Sequence, residues 1–249
     1  MGDKSTIEWT DATWNPSTGC SKVSPGCKNC YAERLSHRLH KMKNPKFVNG
    51  FNFTMHENAL MLPLKCKKPR KIFVNSMSDL FHENMDISFL IRCFEIMRSA
   101  HWHTFQILTK RPERMLNFAE EFGIIPDNIW LGTSVELKSF TYRIDIIREI
   151  NAKVKFVSFE PLLGPPGVLD LSEISWVIVG GESGPKARKL KPEWVRDIRE
   201  QAKEQNVSFF FKQWGGKTSK SNGRILDGRL WDEFPKNNNL EPPLKRMKH

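Results

Sequence analysis

The chain has 249 residues, of which 39% are hydrophobic and 27% charged. That composition is ordinary for a globular protein, and the length suits one large α/β domain with a substantial core. No apolar run approaches the roughly 18 residues needed to span a membrane, and the polar start Met1-Gly2-Asp3-Lys4-Ser5-Thr6 has no signal-peptide apolar stretch, so no membrane partner and a cytoplasmic location are expected. The net charge of +11 admits a nucleic acid or a phosphorylated partner. The cations fall in separate clusters, Lys65–Lys71 and Lys245–Lys248, without an aromatic-interleaved basic stripe.

In chain order, a first strand is predicted near Thr10–Trp14 and an amphipathic helix over Cys27–Met42. Residues 43–65, with Asn44-Pro45, Asn49-Gly50 and Pro63, read as an irregular insertion with a short helix, acting as a lid. Then come short apolar strands at Lys71–Asn75, Thr104–Leu108, Asn128–Gly132, Val154–Ser158, Ser175–Val179 and Val207–Phe211. Runs of this kind are expected where both sheet faces are covered. Helices are predicted at Ile87–Ala100, from Pro112, at Phe140–Ile150 and from Pro192, two of them opening on a proline. The alternation implies a parallel sheet with right-handed crossovers. The expected fold is α/β, a partial, open β/α barrel of about six to seven parallel strands over residues 1–216. Residues 217–249, with Asn237–Asn239 and Pro242-Pro243, read as a polar C-terminal extension with a loose end.

Five cysteines, an odd number without an export signal, argue against a disulfide framework and for metal or redox chemistry. Cys93 sits in an apolar run and reads as a core thiol. Cys20, Cys27 and Cys30 fall within eleven residues. Three thiolates on one loop can hold three irons of a cubane cluster, whose fourth iron is then open to a small molecule; a structural cluster would normally have four cysteines. The alternative is zinc, completed by His37 or His40. No second cysteine knuckle is present in the sequence to favour it.

The run Thr6-Ile-Glu-Trp-Thr-Asp-Ala-Thr-Trp-Asn-Pro16, the cysteines and Tyr31-Ala-Glu-Arg34 resemble the opening of a radical S-adenosylmethionine family, a phage-type group with a three-cysteine motif. Asn75–Phe81, Leu108–Pro112, Ser158–Pro161, Gly180–Gly184 and Phe211–Gly215 extend the resemblance over nearly the whole chain. The six-residue gap after Cys20 departs from the commoner pattern of three. The resemblance implies a four-iron–four-sulfur (4Fe-4S) cluster on Cys20, Cys27 and Cys30, with S-adenosylmethionine chelating the open iron. One electron, from a donor such as flavodoxin or ferredoxin, would cleave it to methionine and a 5′-deoxyadenosyl radical. Within the group the chain is most similar to queuine lyases, which free queuine from queuosine 5′-phosphate. The enzymatic alternative is a nucleic-acid repair or modification enzyme resembling spore photoproduct lyase, and the non-enzymatic one is a zinc-bound nucleic-acid-binding module.

Roles follow from that resemblance and from strand ends. Tyr31 matches the family's adenine-contacting aromatic. Ser76 and Asp79 suit the methionine moiety or substrate, Lys110 and Arg111 a carboxylate or phosphate, and Ser134 and Glu136 the ribose hydroxyls. Gly180 and Gly181 would let a ligand approach the backbone. Asp79, Glu160 and Glu182 would accept hydrogen bonds from a guanine-like base and carry catalysis, and Lys212, Gln213 and Trp214 would bind an anionic group and stack a planar base.

Overall fold

The protein is described by a computed structural model covering Gly2 and residues 5–235. The strands are β1 (Ala12–Trp14), β2 (Ser17–Thr18), β3 (Thr54–Met55), β4 (Lys71–Val74), β5 (Thr104–Thr109), β6 (Ile129–Ser134), β7 (Lys155–Phe159), β8 (Trp176–Gly180) and β9 (Ser208–Gln213). The helices are α1 (Tyr31–Lys41), α2 (Leu62–Lys65), α3 (Ile87–Ser99), α4 (Pro112–Phe122), α5 (Tyr142–Arg148) and α6 (Pro192–Glu204). Seven strands form one sheet in the order β1-β4-β5-β6-β7-β8-β9, and every neighbouring pair is parallel. The sheet curls into an open half-barrel, as the sequence predicts.

Strand alternation divides the core in two. Ile72 and Val74, Phe105 and Ile107, Ile129 and Leu131, Val157 and Phe159, and Phe209 and Phe211 pack with the apolar faces of the helices. The intervening residues Phe73, Trp130, Phe156, Trp176, Ile178 and Phe210 form a separate cluster with Trp9. Side chains on a strand alternate faces, so the two clusters are the two sides of the sheet. The second fills the lower concave side of the half-barrel, its rings meeting edge-on: Trp176 lies 6.0 Å from Trp130, 5.9 Å from Phe210 and 6.1 Å from Trp9. Gly132 makes room within it, since a Cβ there would meet the Phe156 ring at 2.5 Å.

Both sheet edges are covered, which removes free strand donors and acceptors. Gly2 bridges to Thr13 beside β1, and Asp232 bridges to Phe210 beside β9. Residues 217–235 of the expected extension pack against β9, with Phe211 N donating to Trp231 O at 2.8 Å and Leu226 buried in the main core. Residues 236–249, including the expected loose end and the Lys245–Lys248 cluster, lie outside the described residues.

Two local expectations are corrected. The helix predicted from Cys27 begins at Tyr31: Pro25–Cys27 form a separate tight turn, and Cys30 caps α1. The insertion is a buttress rather than a free lid. Its β3 pairs antiparallel with β2, immediately before the cysteines, and Cys20 N donates to Phe51 O at 3.2 Å.

Candidate functional site

Above the aromatic cluster the concave side opens into a cavity of about 480 Å³ at the C-terminal ends of the strands. That is where parallel β/α folds gather their chemistry. Continuing each inward-facing series by two residues replaces an apolar side chain with a polar one: Phe73 leads to Asn75, Phe156 to Ser158 and Glu160, and Phe210 to Lys212. All four polar residues line the cavity. A register shift between Val179 and Gly180 sets Gln213 opposite Gly180, so consecutive Lys212 and Gln213 both reach it.

Cys20, Cys27 and Cys30 also line the cavity, each half-buried. Burial pushes the Cys20 thiol up to about 11, with nearby Asp79 adding to the rise and Arg111 opposing it. Cys66 and Cys93 do not line the cavity; Cys93 is in the core, as expected.

The cysteine loop crosses the mouth of the half-barrel and is tied to successive strand ends. Ser21 Oγ accepts from Arg111 Nη2 at 2.6 Å, after β5. Gly26 N donates to Glu136 Oε1 at 3.4 Å, after β6. Asn29 Nδ2 donates to Glu182 Oε2 at 3.0 Å, after β8. The Tyr31 hydroxyl donates to Ser76 O at 2.5 Å, after β4. Arg34 Nη2 then reaches Ser183 O at 2.8 Å.

These ties commit most of the charged residues expected to meet a ligand. Asp79 Oδ1 accepts from Thr109 Oγ1 at 2.7 Å and Phe81 N at 2.9 Å, and its Oδ2 pairs with Arg111 at 3.1 Å. Glu136 is fully buried and pairs with Arg143 Nη1 at 3.2 Å. Glu182 takes Arg188 Nε at 2.9 Å, Arg188 Nη2 at 2.5 Å and Arg188 N at 2.9 Å. Burial pushes the Glu182 carboxyl up, but Arg188 and Asn29 outweigh it and hold the group below the usual carboxylate range. Glu160 and Lys212 pair with each other at 2.6 Å. A charge taken out of water needs such a partner, which is why these groups are engaged.

Gly181 lines the cavity, whereas Gly180 and Trp214 do not. A Cβ on Gly181 would lie 2.1 Å from Trp214 O, so its other side is packed on the backbone of the next strand end. Gly180 faces Glu160, whose carboxyl carbon would stand 3.3 Å from an added Cβ. The Trp214 indole packs on Phe211 and donates to Ile225 O at 2.8 Å; it does not line the cavity and offers no stacking face to it. Tyr31, Ser76, Lys110 and Ser134 do line it.

Sequence comparison matches residues 4–235 to a family model described as "Protein of unknown function (DUF5131)". The chain belongs to the DUF5131 family. No curated protein matches it. Solved structures similar to this DUF5131 protein include spore photoproduct lyase complexed with dinucleoside spore photoproduct, at a TM-score of 0.45 and 10% identity, over 76% of this chain and 59% of that one. A double mutant of that lyase with bound AdoMet and dinucleoside spore photoproduct gives 0.47 and 9%, over 77% and 61%. The DUF5131 chain thus spans about three fifths of the length of those structures.

Sequence reasoning named Gln213 at the end of the last strand but missed the uncommitted polar groups of Trp9, Asn75 and Ser158. Trp9 Nε1, Asn75 Oδ1, Ser158 Oγ and Gln213 Oε1 are buried, have no hydrogen-bond partner, and belong to residues lining the cavity of the DUF5131 protein. The period-two continuation of the strands was the signal for Asn75 and Ser158. Lys110 and Lys217 line the cavity with no carboxylate partner among the described residues. The zinc alternative finds no support in the grouping of donors: among the described residues no three His, Cys, Asp or Glu side chains gather where one ion could sit. The donor set fits an iron–sulfur cluster instead, since three thiols of one tethered loop face a common cavity, and thiolates suit the corners of a cluster.

Proposed function

We propose that this DUF5131 protein is a radical S-adenosylmethionine enzyme in which Cys20, Cys27 and Cys30 hold a 4Fe-4S cluster. The observation that carries this reading is three cysteines, and no fourth among the described residues, facing one cavity at the C-terminal ends of a parallel half-barrel. When bound, the cluster and S-adenosylmethionine supply one-electron cleavage of the sulfonium and, through it, hydrogen abstraction from an unactivated C–H bond. The chain's own residues hold, orient and enclose. Arg111, Glu136 and Glu182 fix the cysteine loop at three strand ends. The aromatic cluster closes the lower end of the half-barrel and keeps water from the cavity floor. Ser76 and Ser134, with Tyr31, are the cavity-lining groups we assign to S-adenosylmethionine.

We assign the substrate to a phosphorylated deazaguanine nucleoside, queuosine 5′-phosphate. Two observations support the choice. Lys110 and Lys217 have no carboxylate partner among the described residues and can meet a phosphate. Trp9 Nε1, Asn75 Oδ1, Ser158 Oγ and Gln213 Oε1 are free to pair with the donors and acceptors of a base. Glu160, with Lys212, stands beside them as the candidate for proton handling. The net charge of +11 favours a second reading, repair or modification of a nucleic acid.

Anaerobic reconstitution should give about four irons per chain, and alanine at Cys20, Cys27 or Cys30 should abolish the cluster while Cys66→Ala keeps it. The reduced protein should release 5′-deoxyadenosine from S-adenosylmethionine. A clustered protein that never releases it, with queuosine 5′-phosphate, queuosine, guanosine monophosphate or a spore-photoproduct oligonucleotide present, is not a radical enzyme. Free queuine from the first substrate selects the lyase reading; turnover of the oligonucleotide alone selects repair.

A further inference from the structure

The three thiols do not have equal surroundings. Cys27 Sγ has the Ser24 hydroxyl at 3.7 Å, and no hydrogen bond reaches Cys30 Sγ among the described residues. Lys22 acts on Cys27 and Cys30 only through space, whereas Cys20 has a cation at hydrogen-bond distance: Arg111 Nη1 lies 3.7 Å from its Sγ. Arg111 is 8% exposed, and its guanidinium is oriented by two further groups. Its Nη2 donates to Ser21 Oγ at 2.6 Å and to Ser21 O at 3.3 Å, and its Nη1 pairs with Asp79 Oδ2 at 3.1 Å. Asp79 is fixed in turn by Thr109 Oγ1, by Phe81 N and, at 3.2 Å, by Lys110 N. The result is a buried relay, Asp79 to Arg111 to Cys20, running from the loop after β4, past the end of β5, to one corner of the thiol set.

Hydrogen bonds to cluster sulfurs, and net charge beside them, set the potential at which a cluster accepts an electron. We propose that Arg111 is a positioning residue that tunes the cluster through the Cys20 thiolate, and that Asp79 limits how much of the Arg111 charge the cluster feels. The inference rests on the cluster reading above and goes beyond it. Its sign is fixed by charge. Reduction adds one electron to the cluster, so a donor cation beside a ligand sulfur stabilises the reduced form. Removing Arg111 lowers the midpoint potential. Removing the Asp79 charge, with the carboxylate's shape retained, leaves Arg111 uncompensated and raises it. A relay that served only to hold the loop in place would not shift the two variants in opposite directions.

The test uses wild type, Arg111→Met, Arg111→Lys and Asp79→Asn, each reconstituted anaerobically, assayed for iron and titrated with titanium citrate and dithionite while the reduced cluster is followed by electron paramagnetic resonance. With iron content retained, Arg111→Met should lower the equilibrium constant for one-electron reduction at least tenfold, about 59 mV. Asp79→Asn should shift the midpoint the other way. Arg111→Lys should fall between Arg111→Met and wild type, because lysine keeps the charge but loses the forked donors. Unchanged midpoints overturn the proposal, as do shifts of the same sign at both positions. Loss of the cluster from every variant, Arg111→Lys included, reduces the relay to scaffolding and also overturns it. A wild-type protein that takes up no iron sinks the cluster reading itself, whereas a clustered wild type with no shift among its variants sinks only this inference.

Discussion

The lower and upper halves of the concave side are built on the same strands by the same alternation, but their side chains are satisfied in different ways. In the lower half, Phe73, Trp130, Phe156, Trp176 and Phe210 are held by removal from water, at roughly 1.5–3 kcal/mol for each buried side chain. Any well-packed set of rings would serve there. In the upper half the same positions, two residues further on, are polar, and charge pairing replaces apolar packing. Ion pairs at 3.1 Å (Asp79–Arg111), 3.2 Å (Glu136–Arg143) and 2.5 Å (Glu182–Arg188) spend their geometry on holding a loop that carries three thiols. Buried ion pairs contribute little net stability against an apolar alternative. Their use here is position, and groups left without partners line the same cavity as the thiols.

That difference can be tested by separating stability from iron binding. Trp176→Ala, in the middle of the lower cluster, should destabilise the fold by about 3–5 kcal/mol. Thermal unfolding should register the whole loss, and iron per folded chain should stay at the wild-type value. A Trp176→Ala protein that is as stable as wild type but iron-poor would erase the distinction between the halves. Glu182→Gln should behave in the opposite way. It weakens the charged hydrogen bonds to Arg188 and Asn29, each worth about 1.5–3 kcal/mol when charge-assisted. Because Arg188 is one-third exposed, the net effect should sit at the lower end of that range. Cluster retention against a chelator should fall more than thermal stability does.

The lower half was legible in the sequence because it obeys a rule of patterning. Each predicted strand is found within two or three residues of its expected ends, and the proline-opened helices begin at Pro112 and Pro192 as expected. The cysteines were legible because their spacing is chemistry. The upper half was harder to read, since a residue's type tells its charge but not its partner. Glu182 and Glu136 look like free acids until Arg188, six residues on, and Arg143, seven residues on, fold back to them. Asn29 and Gly26 come from more than a hundred residues away, beyond any local pattern. Trp214 misled for the same reason: an aromatic after a strand end suggests a stacking platform, but Phe211 and the Ile225 carbonyl draw its ring away from the cavity. Ser158 and Asn75 could have been found by continuing the inward-facing series past the last aromatic.

The smallest expected effect is a dependence on pH, and it isolates the Glu182 clamp. Burial raises this carboxyl, yet Arg188 and Asn29 bring it below the ordinary glutamate value of 4.5. A carboxyl depressed in the folded state binds fewer protons there than in the unfolded chain, so its contribution is fully present above the unfolded value. That contribution is lost as pH falls through the folded value, below 4.5. The measurement belongs on the apoprotein, because acid attacks an iron–sulfur cluster directly. Denaturant unfolding of wild type and Glu182→Gln should show a constant gap from neutral pH down to about 5, then a gap that narrows as the wild-type carboxyl is protonated. If the Glu182→Gln gap stays constant through the acid range, the carboxylate is not held by its charge, and the upper half is kept in place by packing as the lower half is.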